Sequence, residues 1–313
     1  MSSSTGVLLM AYGSPDSADQ TAEYFTHIRG GKTPSADAIA RVQARYTAVG
    51  GRTPLLAISR DVARRLEAIL GADATGRPYR VYLGMKHWHP FIADTVRTMA
   101  ADGVERAIAI ALAPHYSRIS IGGYRTAVES AIATLPVPFP VRMVERWHAQ
   151  PEFVEMMARL VVAGLERFPA DARDGVTVVF TAHSLPERIR EWDDPYEREL
   201  EASGRAVAER LGIGHWQIAW QSAGHTGEPW IGPDILQCLS TLHTAGVRNV
   251  LQVPIGFVAE HLEVLWDIDI EARAHAELLG LRFARTDLPN ARPALVEALA
   301  AVVRAEEMAA TAA

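Results

Sequence analysis

The chain has 313 residues, more than one hydrophobic core usually supports, so two domains are expected. Apolar residues make up 49% and charged residues 22%, a balance that suits a soluble globular protein, and a net charge of -6 argues against a general nucleic-acid binder. The single cysteine, Cys238, excludes internal disulfides and cysteine-ligated iron–sulfur clusters and points to a reducing cytoplasm. The first residues lack the basic region and long apolar run of a signal peptide, and no stretch approaches the ~20 apolar residues that span a bilayer.

In chain order, the first strand-like run covers residues 6–13 and ends in Met10-Ala11-Tyr12-Gly13-Ser14-Pro15. Glycine and proline force a turn there, which presents the Tyr12 phenol at the sheet edge; a tyrosine capping the core is the competing reading. Arg29, Arg45 and Tyr46 lie around a predicted helix over 35–46, in a stretch rich in glycine and polar residues. Arginine forks bind carboxylates bidentately, so this region would suit a polyanionic organic substrate, with solvated surface arginines as the alternative. A helix over 58–70 follows, then strands over 79–86, 106–114 and 141–146, with a helix over 92–101. Lys86-His87-Trp88-His89, continued as a strand, would alternate its side chains between two faces. Gly122-Gly123 is too short to read as a phosphate loop.

The second half gives strands over 175–182, 216–222, 250–256 and 281–286. A helix over 195–211 starts after Asp193-Asp194 and stops before Gly212. Cys238, in a predicted helix, reads as a small core filler. The last helix, over 294–306, is expected to pack back on the first domain, and the alanine-rich tail after it to fray. Most strand runs are continuously apolar, as in parallel strands covered on both faces, and alternation with helices indicates a doubly wound α/β fold. The run from Gly6 to Pro15 is echoed from Gly175 to Pro186, so two similar four-stranded domains, 1–148 and 149–313, are expected around a cleft. Ligands of such sheets bind beyond the carboxyl ends of the strands. There the sequence puts Tyr12, Lys86-His87, His115-Tyr116-Ser117, His183-Ser184 and Gln221-Ser222.

His183 follows a buried-looking strand, where a neutral imidazole ligates a metal or accepts a proton; a merely hydrogen-bonded histidine is the alternative. Residues 256–269, read as a helix, stack Glu263, Asp267 and Glu271 at i, i+4 and i+8 along one face beside apolar residues. Like charges at that spacing weaken a helix by a few tenths of a kcal/mol per pair. Such a carboxylate ladder calls for a counterion, and a divalent metal is a natural one. One imidazole and one carboxylate make a sparse, open site suited to passing a metal onward.

Several motifs together resemble the ferrochelatase family, in the family's order and over nearly the whole chain. They are Met10-Ala11-Tyr12-Gly13-Ser14-Pro15, Tyr46-Thr47-Ala48-Val49-Gly50-Gly51-Arg52-Thr53-Pro54-Leu55, Ala113-Pro114-His115-Tyr116-Ser117, His183-Ser184-Leu185-Pro186, Trp220-Gln221-Ser222-Ala223-Gly224, Pro229-Trp230-Ile231-Gly232-Pro233-Asp234 and the 256–269 segment. The resemblance implies two Rossmann-like domains, each a four-stranded parallel sheet flanked by helices, around a porphyrin cleft. It implies a lyase that forms nitrogen–metal bonds by inserting Fe2+ into a porphyrin in haem biosynthesis. His183 and Glu263 match the residues at the porphyrin centre, and Asp267 and Glu271 extend them into a metal path.

Tyr12 matches the tyrosine on the opposite porphyrin face in the branch found in Gram-positive-type bacteria. That branch makes coproheme from coproporphyrin III, a substrate with four propionates. Arg29, Arg45, Tyr46, Thr53 and Tyr124 match its propionate-holding positions, Thr53 standing for the usual serine. Protoporphyrin enzymes usually carry an Asn-x-Gly-type turn where this chain has Ala11-Tyr12-Gly13. The resemblance leads to a cytoplasmic monomer with coproporphyrin III and Fe2+ as substrates, no permanently bound cofactor, no iron–sulfur cluster, and transient contact with the next haem-pathway enzyme. A protoporphyrin IX ferrochelatase, a sirohydrochlorin-type chelatase with its metal histidines elsewhere, and a haem carrier with a stable axial ligand are the competing readings.

Overall fold

The computed structural model describes residues 4–224 and 227–311, and Met1-Ser2-Ser3 lie outside them. The first half runs β1 (Ser4–Ala11), α1 (Thr21–Ile28), α2 (Ala36–Ala48), α3 (Leu55–Leu70), β2 (Tyr79–Met85), α4 (Ile92–Ala101), β3 (Val104–Ala111), α5 (Ile121–Ala133) and β4 (Val141–Met143). The second runs α6 (Pro151–Leu165), β5 (Val176–His183), α7 (Tyr196–Leu211), β6 (Trp216–Gln221), α8 (Ile235–Thr244) and β7 (Asn249–Val253). A π-helix (Val264–Ala272) then leads into α9 (Arg273–Leu278), β8 (Arg282–Arg285) and α10 (Pro293–Thr311). The strands form two parallel four-stranded sheets of the same order, β2-β1-β3-β4 and β6-β5-β7-β8. The two runs whose sequences echo each other, β1 and β5, occupy equivalent central places.

All eight expected strands form, with ends that differ by up to three residues. The ladder of β7 stops at Val253 because Pro254 has no N–H to donate. Every residue of β1 is buried, as a strand covered on both faces requires. Its alternate side chains serve two layers. Val7 and Leu9 join a cluster that also holds Val178 and Phe180 of β5, Phe153 and Met157 of α6, and Leu295 and Leu299 of α10. Leu8 and Met10 face the opposite way, onto Met99 of α4 and Val128 of α5. The same alternation in β5 sends Val179 to an outer cluster with Leu239 and Cys238 of α8. Burial there pushes the Cys238 thiol up to about 11, which makes it an inert filler.

Two expectations fail, and the conditional strand reading of residues 86–89 does not hold. Residues 86–90 bend instead of continuing β2: the Lys86 and His87 N–H groups still donate to the carbonyls of Ala11 and Tyr12 at 2.9 and 2.8 Å, but the Pro90 carbonyl turns back to accept from the Met85 N–H at 2.6 Å. Residues 256–261 are a turn rather than helix, and the following acidic segment winds as a π-helix in which the Arg273 N–H reaches back five residues to the Ile268 carbonyl. The wider turn spreads the expected carboxylate stripe: Glu263 is half-buried, Asp267 buried and Glu271 exposed. The tail around Glu306–Ala310 stays helical, because Glu307 accepts from Arg106 Nη2 at 2.9 Å and from the Tyr79 hydroxyl. The helix it belongs to, α10, packs against both α3 and α6.

Candidate active site

The carboxyl ends of strands from both sheets open on one cavity of about 540 Å3, within the usual range for small-molecule sites. Tyr12 and Ser14 reach it from the end of β1, Lys86 and His87 from β2, His115 from beyond β3, and His183 from β5. Phe257, His261 and Glu263 close it from the segment after β7. The turn that presents Tyr12 requires glycine at position 13, where φ is +103° and a Cβ would stand 2.8 Å from the Trp88 nitrogen. Gly256 is fixed by packing instead: a Cβ there would lie 2.4 Å from that of Ala182, beside His183.

The tautomer of the neutral His183 ring follows from its neighbour. Its Nδ1 lies 2.5 Å from the Ser184 carbonyl oxygen, which only accepts, so Nδ1 carries the hydrogen and Nε2 keeps its lone pair. The Tyr196 hydroxyl donates to the His183 carbonyl at 3.0 Å, and the Trp230 ring centroid is 6.2 Å away, so backbone and ring are both braced. His261 is held similarly, with Nδ1 2.9 Å from the Ala259 carbonyl, while its Nε2 stands 3.3 Å from Glu263 Oε2. Glu263 thus has a second imidazole within ion-pairing distance.

Tyr12 keeps 42% of its surface open and packs its ring 4.6 Å from that of His87. Low-water surroundings, and then the Glu263 charge, hold its phenol well above the usual value, so it is neutral at pH 7. Tyr46 and Tyr124 line the same cavity, and burial raises both phenols. A hydroxyl chain links Tyr46 to Ser14 at 2.9 Å and Ser14 to Thr53 at 2.7 Å. Thr53 therefore touches the cavity only through Ser14.

Other candidates lie outside. The Arg29 guanidinium is exposed, 5.9 Å from the Phe25 ring centroid. Arg45 pairs with Asp267 at 3.6 Å and lies over the Trp266 ring. Asp267 is pushed up to about 7, first by burial and further by the negative charges of Glu263 and Glu271; the Ser222 hydroxyl and Arg45 pull the other way. His183, Glu263, Asp267 and Glu271 do not gather around one point: among the described residues no three imidazoles, carboxylates or thiolates form a metal-holding group.

Sequence reasoning gave too little weight to Lys86, His87 and His261. The rule that ligands bind beyond strand ends already pointed at the first two. Lys86 directs its ammonium at the Tyr124 ring, 5.2 Å from the centroid, and burial lowers its pKa. That explains Gly123, where a Cβ would stand 2.2 Å from Lys86 Nζ. His115 is buried with Nε2 2.9 Å from Ser203 Oγ and is lowered to about 3 by burial and by His148, which makes it a neutral brace between β3 and α7.

The ferrochelatase family model matches residues 4–307. A ferrochelatase of Herpetosiphon aurantiacus is 47% identical over 97% of this chain and 99% of its own. A coproporphyrin III ferrochelatase of Geobacillus kaustophilus is 40% identical over 95% of this chain and 94% of its own. Among solved structures, SirB from Bacillus subtilis with Fe3+ shares the fold at TM-score 0.60 and 11% identity, covering 96% of this chain and 94% of that one.

Proposed function

The chain belongs to the ferrochelatase family, and from that premise we propose that it inserts Fe2+ into coproporphyrin III to give coproheme. The observation that carries the reading is that His183, its Nδ1 engaged by the Ser184 carbonyl, shares one cavity with Glu263 and Tyr12. A metal entering the ring displaces two pyrrole protons, so the site needs a base at the macrocycle centre. His183 Nε2 takes these protons one at a time, and the His261–Glu263 pair relays them toward water. Glu263 also offsets the positive charge of the incoming cation. Tyr12, neutral and braced by His87, holds the opposite face of the ring, and a rigid cleft that favours a bent macrocycle lowers the insertion barrier.

The preference for coproporphyrin III is supported by Tyr12 in its Ala11-Tyr12-Gly13 turn and by the Geobacillus relative. Polar groups at the cavity wall add to it. Tyr46, Tyr124 and Ser14 offer hydroxyls and Lys86 a cation, which suits a ring bearing carboxylates all round rather than on one edge. Arg29 and Arg45 would hold propionates from the rim, Arg45 by exchanging Asp267 for substrate, while Thr53 would act through Ser14. No helix among the described residues is long and apolar enough to cross a membrane, and we infer a cytoplasmic monomer with iron as substrate and no resident cofactor. The test is anaerobic turnover with Fe2+, followed by absorbance, with coproporphyrin III and protoporphyrin IX compared at equal concentration. Higher kcat/KM for coproporphyrin III is expected; equal or better use of protoporphyrin IX overturns the preference.

A further inference from the structure

His27, near the end of α1, and His87, in the turn after β2, direct their Nδ1 atoms at each other across 3.2 Å. Their ring planes are inclined by 74°. The insertion chemistry above uses His87 only as a brace for Tyr12 and does not use His27. In a tetrahedral site with metal–nitrogen bonds of about 2.0–2.1 Å, two donor nitrogens stand roughly 3.3–3.4 Å apart. The observed separation is close to that edge. Both rings are also braced: His27 stacks on Phe91 at 4.8 Å with a 29° tilt, and His87 packs on Tyr12.

We propose that His27 and His87 form a holding site for a divalent transition-metal ion at the mouth of the cleft, beside Tyr12, used ahead of insertion. The use in insertion rests on the ferrochelatase reading; the binding itself does not. Imidazole donors suit Fe2+, Co2+ and Zn2+. Burial, with Lys86 and His27 beside it, lowers His87 to about 3, so at pH 7 it is the neutral form that ligates. His27 is exposed, which leaves the site open to incoming ions. Glu23, one turn earlier on α1, lines the same surface hollow as His27 and adds a negative charge on that approach. Lys86 is the charge that opposes a bound cation, and its ammonium is directed at the Tyr124 ring. Since no third donor stands close enough among the described residues, water completes the coordination and the ion exchanges readily.

A plain imidazole–imidazole hydrogen bond has the same length, and metal binding separates the two. Co2+ is titrated into the whole, metal-free protein without porphyrin, by calorimetry and visible absorbance. A binding event is expected that persists in His183→Ala and weakens about tenfold or more in His27→Ala. In anaerobic assays, His27→Ala is expected to raise the KM for Fe2+ severalfold while kcat at saturating Fe2+ stays within about twofold. A Co2+ isotherm unchanged by His27→Ala, or an unchanged KM for Fe2+, overturns the proposal. Circular dichroism checks that the variant is folded. Because the Co2+ arm contains no porphyrin, a wrong assignment of the porphyrin substrate leaves its outcome untouched.

Discussion

His183 and Asp267 show how a neighbour decides what one side chain does. For His183 the deciding neighbour is the Ser184 carbonyl, which fixes the hydrogen on Nδ1 and leaves Nε2 available. His183→Ala is expected to abolish insertion while porphyrin affinity, followed by fluorescence quenching, stays within about tenfold, or ~1.4 kcal/mol. Turnover near the wild-type rate would remove His183 from the chemistry. For Asp267 the neighbours are a low-water setting and two further acids, which raise its pKa from 3.8 to about 7. Between those values the folded protein keeps a proton that the unfolded chain has released, so stability falls as pH rises and the loss is complete above pH 7. An asparagine at this position does not titrate. In the metal-free protein, the stability of Asp267→Asn relative to wild type should therefore improve between pH 4 and pH 7, by roughly 2–4 kcal/mol. Urea unfolding at pH 4, 5.5 and 8 checks this, and a difference that stays flat across the three refutes it. The residue types at the site were legible in the sequence because they sit where strands end. The hydrogen on Nδ1 and the pairing of His261 with Glu263 were not, since both depend on backbone carbonyls that only the folded turn brings near.

Among the elements, strands were the most legible, because burial on both faces writes a continuous apolar run into the sequence. The segment after β7 was the least. Its apolar and acidic residues recur at spacings that an α-helix and a π-helix both accommodate, and the choice is made by packing: Val264 and Ile268 seat against Leu288, and Asp267 reaches Ser222. Local π-helical turns are frequent at functional sites, and here the distortion runs through nine residues. The start of this segment must pass close to the end of β5, and Gly256 allows it. Gly256→Ala forces its Cβ against Ala182 and displaces the adjacent His183, so it should cost about 1–3 kcal/mol of stability and lower kcat as well. Gly175→Ala, just ahead of β5 where a Cβ meets nothing within 4 Å, is the control and should change stability by less than about 0.5 kcal/mol. Thermal melts and initial rates of both variants decide the matter; equal behaviour of the two would remove the steric argument.

For the whole molecule, the question is whether two sheets with one topology behave as two units. The sequence showed the repeat but not what lies between its copies. That layer is built from α6, α10 and the facing sides of β1 and β5, and their side chains form one continuous apolar cluster. Inserted within it, Leu299 of α10 has no exposed surface. At the far end of the same helix, Glu307 joins Arg106 and Tyr79 of the first half, and Arg142 pairs with Glu306 at 3.7 Å. Loss of packing anywhere in this layer is therefore felt by both sheets. Leu299→Ala should cost roughly 2–5 kcal/mol and lower a single unfolding transition, rather than detach one half from the other. Calorimetry with the calorimetric and van't Hoff enthalpies compared is the measurement, and their agreement is expected for wild type and variant alike. Two resolved transitions in the variant, only one of them shifted, would mean that each sheet carries its own stability. The cavity between them would then owe its shape to docking rather than to a shared core.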